Sequence, residues 1–546
     1  MKKNFIFLFL IIFLAFALRT YQLGNVPPST SLDEASIGWN AFSILTTGGD
    51  EYGYKFPILL RAFDDWRPAT YVYMVIPFIK LLGLSVLSVR LPSVILSVLT
   101  VLATYFLVNE MFRKQKLLRS EYIALACAFL LAISPWHIYI SRLGHEVNLA
   151  FSAFVFAMYF FLRKNIYLAA LFFVISFISY QTEKLFIPAV IFGLAVVFYK
   201  DLLKQKKQIL IAAVFSLIIL VPFIRETLSP NALIRFSATN VFELNKSRYT
   251  DQFSILQSAI LQNDKISEVL YNRRLVTSQI FAESYLSHFN PVWLFTNSSG
   301  DRHKVPGVGL MYIWELPLIM LGIYFLLRLD FDKKIKVLIF VWFLSAPIAA
   351  SLTTDSPHAL RTLVFLPTWQ IFSGLGLVYM FSLVHKKIRR NVLLASGLVI
   401  VFASLWTFSR QYFYVFPKTQ SDSFQYSLSQ AIGYVQENEK NYKSVIFANN
   451  DNLAQSYMFF LFYTKYDPKL YQEQGGTVSG GYNVTHEFGK YEFRPVSIEE
   501  EKSRNLIIGN YSQFFQEEKL APEIETIKDI ENLNGEKTIK IFTIKK

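Results

Sequence analysis

Three pairs of acidic residues follow the first apolar run of this 546-residue chain: Asp33-Glu34, Asp50-Glu51 and Asp64-Asp65. The first pair begins a segment with helix-like apolar spacing, and a helix that starts there would hold Asp33 in a fixed position. A fixed carboxylate at a membrane surface suits a general base. We therefore predict that Asp33 and Glu34 are catalytic acids, whereas Asp50-Glu51, which follows two glycines, is predicted to be a solvated or structural turn.

Charged residues also occur where the chain returns to the membrane and in the next loop. Arg67 precedes Pro68, and its guanidinium suits either a bidentate phosphate contact or an interfacial anchor. The loop Ser141–Asn148 contains Arg142 and Glu146. An acid beside a span is costly and therefore often functional, so Glu146 is predicted to face the same cavity as Asp33.

Two later loops place His303, His358 and Arg361 at the same predicted face, where the two histidines and Asp65 are expected to line the cavity. The sequence contains no HExxH or CxxC motif, so spacing gives no support for a metal site, and a divalent metal is left open. It also contains no P-loop and no GxGxxG that opens a helix. A nucleotide-dependent reaction in the membrane part is therefore disfavoured.

Composition identifies the class of protein that must position these residues. Hydrophobic residues make up 53% of the chain, charged residues only 17%, and the mean hydropathy is +0.34, which indicates a membrane protein. The net charge of +14 comes from Lys and Arg in short runs between apolar segments. Such runs mark cytoplasmic loops and do not indicate nucleic-acid binding. The lone Cys127 excludes a disulfide within the chain.

Apolar segments of nearly spanning length predict about 11 transmembrane helices. They cover residues 5–18, 91–112, 121–138, 149–162, 166–180, 185–199, 209–224, 309–328, 337–352, 363–384 and 391–408. We interpret residues 69–87, which contain Pro77 and Lys80, as an interfacial or half-inserted helix, because this choice places the basic turns inside. The N-terminus is then cytoplasmic, and the loops 19–90 and 225–308 and the C-terminal tail are outside.

The tail differs in composition from the rest, so the chain is predicted to have two domains: a transmembrane module, 1–410, and a small extracytoplasmic α/β domain, 411–546. Ser427–Asn438 has helical spacing, and Ser444–Ala448 and Asn505–Gly509 read as buried strands. Lys537–Thr543 alternates like an edge or hairpin strand. The position of the tail suggests that it recognises the acceptor of a reaction.

Several of these motifs together resemble those of the GT-C glycosyltransferases, above all the bacterial protein O-mannosyltransferases and aminoarabinose transferases (glycosyltransferase family 39). The resemblance covers about residues 1–410. It rests on Asp33-Glu34 in the first outer loop, Arg67-Pro68, the sequence Val89-Arg90-Leu91-Pro92-Ser93 at a span entry, and Ser134-Pro135-Trp136 running into Ser141-Arg142.

The resemblance implies inverting transfer of a monosaccharide from a polyprenyl-phosphate donor to a hydroxyl acceptor at the extracytoplasmic face of the plasma membrane. The acceptor is a protein, a lipid or a glycan. Asp33 matches the catalytic Asp of the family, Arg67 the cation that contacts the lipid phosphate, and Glu146 a second acid; Arg142 and Arg361 are further candidates for phosphate binding. Trp66 stands where the aminoarabinose transferases have Glu, which argues against their type of metal site. No β-trefoil insertion is present, which weakens the case for a protein acceptor.

Two other classes of function fit parts of the sequence. A transporter or flippase for a lipid-linked or polar substrate would carry ionisable residues near the middle of its spans, and Glu315 beside Pro317 is the main example here. A membrane scaffold would not gather acids and cations at one face.

Overall fold

A computed structural model describes residues 2–115, 118–229, 241–296, 303–450, 453–481, 484–499, 501, 504–520 and 523–545. Two stretches of the predicted long outer loop, 230–240 and 297–302, lie outside these residues. The chain divides into two compact units. The membrane unit comprises Met1–Arg19, Ile95–Ser141 and Glu146–Phe408; the loop–tail unit comprises Thr20–Val94, Arg142–His145 and Ser409–Lys546. The division near residue 409 falls close to the predicted one, but the second unit also contains nearly all of the loop 19–90, which was predicted to be outside.

The membrane unit is helical in the residues that the structure describes. Its helices and those it shares with the loop–tail unit are Lys2–Thr20, Val86–Phe112, Ser120–Ile133, Pro135–Ser141, Glu146–Leu162, Ile166–Ser179, Glu183–Leu203, Lys206–Thr227, Val241–Leu244, Lys246–Leu261, Lys265–Leu270, Arg273–Ser287, Pro291–Phe295, Glu315–Arg328, Lys333–Ser345, Ile348–Ser351, Leu366–Leu383 and Lys387–Arg410.

Each of the 11 predicted spans falls on one or more of these helices. Among the described residues, six helices are long and apolar enough to cross a membrane, or seven if one bent pair counts as a single span. Shorter apolar helices, such as Glu146–Leu162 and Ile166–Ser179, account for other predicted spans. The predicted span 121–138 is broken, because the helices Ser120–Ile133 and Pro135–Ser141 meet at 58°.

The break at Pro135 explains why Arg19, at the end of the first helix, is fully buried. Proline has no N–H for the carbonyl four residues earlier, and the N–H of Trp136 bonds to the carbonyl of Leu310 instead of continuing the helix. The Arg19 guanidinium donates to the carbonyl oxygens of Leu131 at 3.4 Å and Ala132 at 2.9 Å. A buried cation thus satisfies the acceptors that the break leaves open.

Replacing Arg19 with Met is therefore expected to destabilise the protein by about 2–3 kcal/mol, because buried carbonyls lose their donors. Thermal unfolding of the purified protein in detergent measures the change. The control is Arg163→Met, which removes a half-exposed guanidinium 3.4 Å from Glu110 and should cost less than about 1 kcal/mol. Equal losses in the two variants would contradict this assignment.

The segment 69–87 forms a short helix and then turns. The helix Thr70–Leu82 has 13 residues, so it is roughly 20 Å long, against about 30 Å for the hydrocarbon core. It ends at Gly83, whose φ of 72° suits glycine, and the span Val86–Phe112 follows. Its length agrees with the predicted interfacial or half-inserted helix.

The rest of the loop–tail unit combines helices, a hairpin and a mixed sheet. Its helices, besides Thr70–Leu82, are Leu32–Thr47, Phe416–Thr419, Tyr426–Asn438, Ser456–Thr464, Pro468–Glu473 and Tyr511–Leu520. Its strands are β1 (Leu59–Ala62), β2 (Asp65–Pro68), β3 (Ser444–Ala448), β4 (His486–Phe488), β5 (Tyr491–Arg494), β6 (Asn505–Asn510), β7 (Ile524–Glu531) and β8 (Lys537–Ile544).

The tail strands form one six-stranded sheet in the order β4-β5-β3-β6-β8-β7. β3 is parallel to both of its neighbours, and the other pairs are antiparallel. Apolar side chains from the sheet pack around Phe514 of the helix Tyr511–Leu520, which follows β6 in the chain. The predicted tail helix and the two buried strands are confirmed. The interpretation of Lys537–Thr543 as an edge strand was wrong and the hairpin alternative was right, because β8 pairs with β6 on one side and β7 on the other.

Candidate active site

A capping box fixes the start of the helix that carries Asp33. The Ser31 hydroxyl accepts a hydrogen bond from the Glu34 N–H at 3.2 Å, and Oε2 of Glu34 accepts one from the Ser31 N–H at 2.9 Å. This reciprocal arrangement satisfies two backbone donors that a helix start leaves open. Asp33 therefore lies in the first turn of Leu32–Thr47, as predicted, where the helix dipole favours a negative charge.

The hairpin of β1 and β2 brings Arg67 to Asp33. Phe63 and Asp64 join the strands and have φ values of 55° and 59°, the left-handed pair that a tight hairpin turn requires. Nη1 of Arg67, on β2, donates to Oδ1 of Asp33 at 2.7 Å. The Arg67 side chain is 9% exposed and that of Asp33 is 43% exposed. The carboxylate is thus held by a largely buried cation but remains open to solvent.

Asp64 ties the hairpin turn to the tail. Its oxygens accept hydrogen bonds from the Arg61 guanidinium at 2.7 Å, the Ser479 hydroxyl at 2.6 Å and the Gly480 N–H at 3.0 Å. Burial alone would raise the pKa of Asp64, but these three donors outweigh it and lower the pKa. The tail therefore helps to set the position of β2, which carries Arg67 and, two residues earlier on the same strand face, the predicted cavity residue Asp65.

Glu34, although adjacent to Asp33, is fully buried in a different environment. The guanidinium of Arg90 donates to Oε1 at 2.7 Å and to Oε2 at 3.0 Å, and the Gly144 N–H donates to Oε1 at 2.9 Å. Burial raises the pKa of Glu34, but the Coulomb attraction and hydrogen bonds of Arg90, with those of the Gly144 and Ser31 backbone, outweigh burial and lower it. Both carboxylate oxygens are thus occupied by protein donors.

Arg90 and Gly144 reach Glu34 through close contacts between three chain segments. Arg90 also donates to the carbonyls of Leu23 at 3.1 Å and Pro27 at 3.0 Å, so it ties the outer loop to the start of the helix Val86–Phe112. A Cβ on Gly144 would lie 2.6 Å from a methyl group of Val89. Only glycine lets this backbone come close enough for its N–H to reach the carboxylate.

The second acidic pair is not a solvated turn. Oδ1 of Asp50 accepts hydrogen bonds from the N–H groups of Tyr52 and Tyr54, so this residue shapes the turn. Glu51 is fully buried and accepts hydrogen bonds from Asn40 at 3.1 Å, Tyr457 at 3.0 Å and Thr477 at 3.0 Å. Burial raises the pKa of Glu51 to about 7, because the three neutral donors offset only part of the cost of burying a charge. Of the two predicted alternatives, the structural one is right.

The raised pKa of Glu51 predicts a pH-dependent stability. The folded state binds the proton more tightly than the unfolded state, so this contribution is full below the unfolded pKa of about 4.5 and is lost as the pH rises through about 7. It amounts to about 2–3 kcal/mol. Glu51→Gln is expected to remove the decline between pH 5.5 and pH 8 in urea unfolding, whereas Glu487→Gln, an exposed residue of the same unit, should retain it. A decline of the same size in Glu51→Gln would refute the assignment.

Arg142, a predicted phosphate-binding residue, is fully buried in the loop–tail unit. Its Nη2 donates to the carbonyl of Val26 at 2.8 Å and its Nε to the hydroxyl of Tyr412 at 3.2 Å. The guanidinium also lies 5.1 Å from the ring centre of Phe413. These contacts give Arg142 structural partners in the protein, and phosphate binding by this residue stays a prediction.

The remaining predicted site residues belong to the membrane unit. His303 and His358 stack with ring centres 4.6 Å apart, and the Arg361 N–H donates to Nδ1 of His358 at 3.3 Å. The Arg361 guanidinium donates to the Thr353 hydroxyl at 2.8 Å and to the Thr354 carbonyl. Glu146 is the buried first residue of its helix. The structure thus brings His303, His358 and Arg361 together in one unit, and Asp33 and Arg67 together in the other.

A metal site finds no support in the geometry. In the part of the chain that the structure describes, no three His, Cys, Asp or Glu side chains converge closely enough to hold a metal ion.

The sequence contained a signal for one important residue whose role was not predicted. Arg90 was predicted only as part of the motif Val89–Ser93 at a span entry. A charged residue at such a position is costly without a partner, and this cost was the signal for its role. No comparable signal in the sequence indicated that Tyr457 and Thr477 bind Glu51.

One family model matches part of the chain. It is described as dolichyl-phosphate-mannose-protein mannosyltransferase and covers residues 67–225, which is less than half of the sequence. A search of curated protein sequences found no match.

Solved structures of similar fold cover nearly the whole chain. ArnT from Cupriavidus metallidurans in the apo state is 10% identical with a TM-score of 0.53, over 98% of this chain and 97% of ArnT. The same protein bound to undecaprenyl phosphate is 9% identical with a TM-score of 0.51, over 99% and 97%. The oligosaccharyltransferase AglB from Archaeoglobus fulgidus, in complex with Zn and sulfate, is 14% identical with a TM-score of 0.50, over 93% and 68%. The predicted polytopic GT-C fold with a C-terminal sheet domain is confirmed.

Proposed function

Because this multi-pass membrane protein has the GT-C fold, we propose that it is a glycosyltransferase that moves a monosaccharide from a polyprenyl-phosphate donor to a hydroxyl acceptor, with inversion at the anomeric carbon. The proposed reaction takes place at the extracytoplasmic face of the plasma membrane. The ion pair between Asp33 and Arg67 is the observation that carries the proposal. It joins a solvent-accessible carboxylate to a cation that suits phosphate in a single small site.

The proposed reaction needs one base and one phosphate-binding group. Asp33 accepts the proton of the acceptor hydroxyl while that oxygen forms a bond to C1 of the sugar. The bond between C1 and the phosphate oxygen breaks, and its electron pair leaves with the polyprenyl phosphate. The leaving group is already a stable anion, so the reaction requires no general acid. Attack from the side opposite the phosphate inverts the anomeric centre.

Arg67 supports both partners of this reaction. A guanidinium has five N–H donors in a planar fork, so it can contact a carboxylate and a phosphate at the same time. Its contact with Asp33 holds the carboxylate in a fixed direction. The second contact would stabilise the negative charge that develops on the departing phosphate. If the base and the phosphate-binding cation lay far apart, each of them would need its own structural element to hold it in position.

Glu34 is proposed as a positioning residue instead of a second base. Its two oxygens are occupied by Arg90, Gly144 and Ser31, and it is only 1% exposed. It fixes the first turn of the helix, and Asp33 is held one residue earlier on that turn. Glu146, His303, His358 and Arg361 remain proposed contributors from the membrane unit, with Arg361 and Arg142 as further phosphate-binding candidates.

The carrier lipid and the acceptor are proposed as chemical classes only. The undecaprenyl phosphate bound to ArnT supports a polyprenyl-phosphate carrier for the donor of this chain as well. The acceptor carries a hydroxyl group and belongs to a protein, a lipid or a cell-envelope glycan.

Mass spectrometry of surface glycans and glycoproteins from cells with and without the gene tests the proposed function. We expect one class of glycan to lose a single monosaccharide when the gene is absent. Purified protein supplied with polyprenyl-phosphate sugars should release free polyprenyl phosphate in the presence of acceptor. No change in any envelope glycan, together with no release of polyprenyl phosphate, would overturn the proposal.

A further inference from the structure

A charged cavity of about 530 Å³ lies in the membrane unit, among the ends of helices that carry the basic turns. These turns are the ones predicted to be cytoplasmic, so the cavity lies at the predicted cytoplasmic ends of these helices. Lys114, Lys164 and Lys333 line it and come from three different turns. Helix ends distant in sequence thus supply the cavity with ammonium groups.

Part of the charge around this cavity is neutralised within the protein. Glu110 pairs with Arg113 at 3.2 Å and with Arg163 at 3.4 Å, and Lys334 pairs with Asp201. In the described part of the chain, Lys114, Lys164 and Lys333 form no such salt bridge. Four lysines and four acids line the cavity, and the guanidinium groups of Arg113 and Arg163 that pair with Glu110 make its surroundings net positive, which favours an anionic ligand.

A buried amide provides a second, independent indication of a polar ligand. Gln115 lines the cavity, and its Oε1 accepts a hydrogen bond from the Leu118 N–H. Its Nε2 is buried and has no hydrogen-bond partner among the described residues. An unmet buried donor beside three ammonium groups suits phosphate oxygens, which accept several hydrogen bonds at once.

An apolar cavity of about 700 Å³ adjoins the charged one, because Phe161, Ile166 and Leu202 line both. It lies among the helices Ile166–Ser179, Glu183–Leu203 and Lys206–Thr227. Of the described residues that line it, all but Ser216 are apolar.

The apolar cavity has the length and exposure expected of a site for a lipid chain. From Ile166 to Phe177 it follows its helix for roughly 17 Å, close to the thickness of one leaflet. Ile191 and Phe192 are exposed at 44% and 72%, so the cavity opens toward the surrounding lipid. Small residues such as Ala195 and Ala213 line the cavity, so their side chains do not narrow it.

We propose that these adjoining cavities bind one anionic diacyl phospholipid of the cytoplasmic leaflet, with its phosphate among Lys114, Lys164, Lys333 and Gln115 and an acyl chain in the apolar cavity. A polar headgroup pocket that continues into an apolar groove matches an amphipathic lipid and does not match a soluble phosphate compound. Basic pockets between membrane helices on the cytoplasmic side are a known mode of phospholipid recognition. The site is separate in chemistry from the proposed sugar transfer.

Native mass spectrometry of the full-length protein in mild detergent tests the proposal. Delipidated protein is titrated with phosphatidylglycerol, and phosphatidylcholine and inorganic phosphate serve as comparison ligands. We expect one tightly bound phosphatidylglycerol. Lys114→Ser/Lys164→Ser/Lys333→Ser should weaken it roughly 100-fold, because each cation near an anionic headgroup contributes about fivefold. Ala195→Phe/Ala213→Phe should also reduce binding by filling the groove while leaving every charge in place.

The matched control is Lys386→Ser/Lys387→Ser/Arg389→Ser, which removes three cations from another predicted cytoplasmic turn that lines neither cavity. It should bind phosphatidylglycerol like the unmodified protein. The proposal fails if the lysine triple variant binds as well as the control, if inorganic phosphate competes equally, or if the lipid retained from cells is a polyprenyl phosphate. Since binding is measured without any sugar donor, this outcome does not depend on the proposed enzymatic activity.

Discussion

Asp33→Asn is expected to lower sugar transfer by about 100- to 10,000-fold, the contribution of a positioned general base. Asparagine has nearly the same shape and keeps its place in the first helical turn, but its amide does not accept a proton. The loss of the partly exposed ion pair with Arg67 should cost no more than about 1 kcal/mol of stability. Protein abundance should therefore stay close to normal while transfer is lost.

Transfer is measured as polyprenyl phosphate released from a polyprenyl-phosphate sugar, with the amount of protein quantified in the same membranes. Asp251→Asn, the same substitution at an exposed position of the long outer loop, is the control and should retain full activity. Unchanged transfer by Asp33→Asn would refute Asp33 as the base. Equal loss of activity and of protein would indicate a structural role instead.

Glu34→Gln is expected to have the largest effect on stability, about 3–5 kcal/mol, because it leaves the Arg90 charge buried without its counter-ion. Arg90 is fully buried and cannot turn to solvent without releasing the carbonyls of Leu23 and Pro27. The first turn of the helix would also lose the Glu34 half of its capping box. Thermal and urea unfolding in detergent measure the change.

An exposed ion pair of similar geometry supplies the control. Arg248 donates to both carboxylate oxygens of Glu283, at 2.8 and 3.0 Å, but the Glu283 side chain is 58% exposed. Glu283→Gln should therefore cost less than about 1 kcal/mol. If both variants lose the same stability, burial does not determine the value of the Glu34–Arg90 pair, and the argument for a positioning role of Glu34 fails.

The pH dependence distinguishes this acid from Glu51. The folded protein lowers the pKa of Glu34, so its contribution is present above the unfolded pKa and is lost as the pH falls through the folded pKa. Glu51 behaves in the opposite way, because its raised pKa removes stability as the pH rises. Glu34→Gln should therefore reduce the loss of stability as the pH falls into the acid range, whereas Glu51→Gln should remove the loss of stability as the pH rises through about 7.

The structure also changes how the tail should be tested. Deleting residues 417–546 would be the most direct test of acceptor recognition by the tail. Tyr457 and Thr477 of the tail bind Glu51, and Ser479 binds Asp64 of the hairpin that carries Arg67. Deletion would remove these supports from the first outer loop, so a loss of activity would not report on acceptor choice alone. Substitutions on exposed tail residues avoid this problem.

Local features of the sequence predicted much of the fold. The apolar runs identified the membrane helices, and the polar start of Leu32–Thr47 predicted where that helix begins, because capping depends on residues three apart. Strands β3 and β6 were visible as short buried runs, and the basic turns indicated which loops share a side. Asp33 was predicted as a base and Arg67 as a phosphate-binding cation on the same side, and the structure adds that the two side chains form an ion pair of 2.7 Å.

The sequence by itself determined the class of protein and its helices and singled out Asp33 and Arg67 as site candidates, whereas only the tertiary structure decided that these two form an ion pair and what the neighbouring acids do. Successive residues of a helix point about 100° apart, so Asp33 remains open to solvent while Glu34 turns toward Arg90 and Gly144. Glu51 is buried because Tyr457 and Thr477 cover it, from more than 400 positions away along the chain. Periodicity and capping depend on residues a few positions apart, but burial and charge pairing depend on which distant segments the fold brings together.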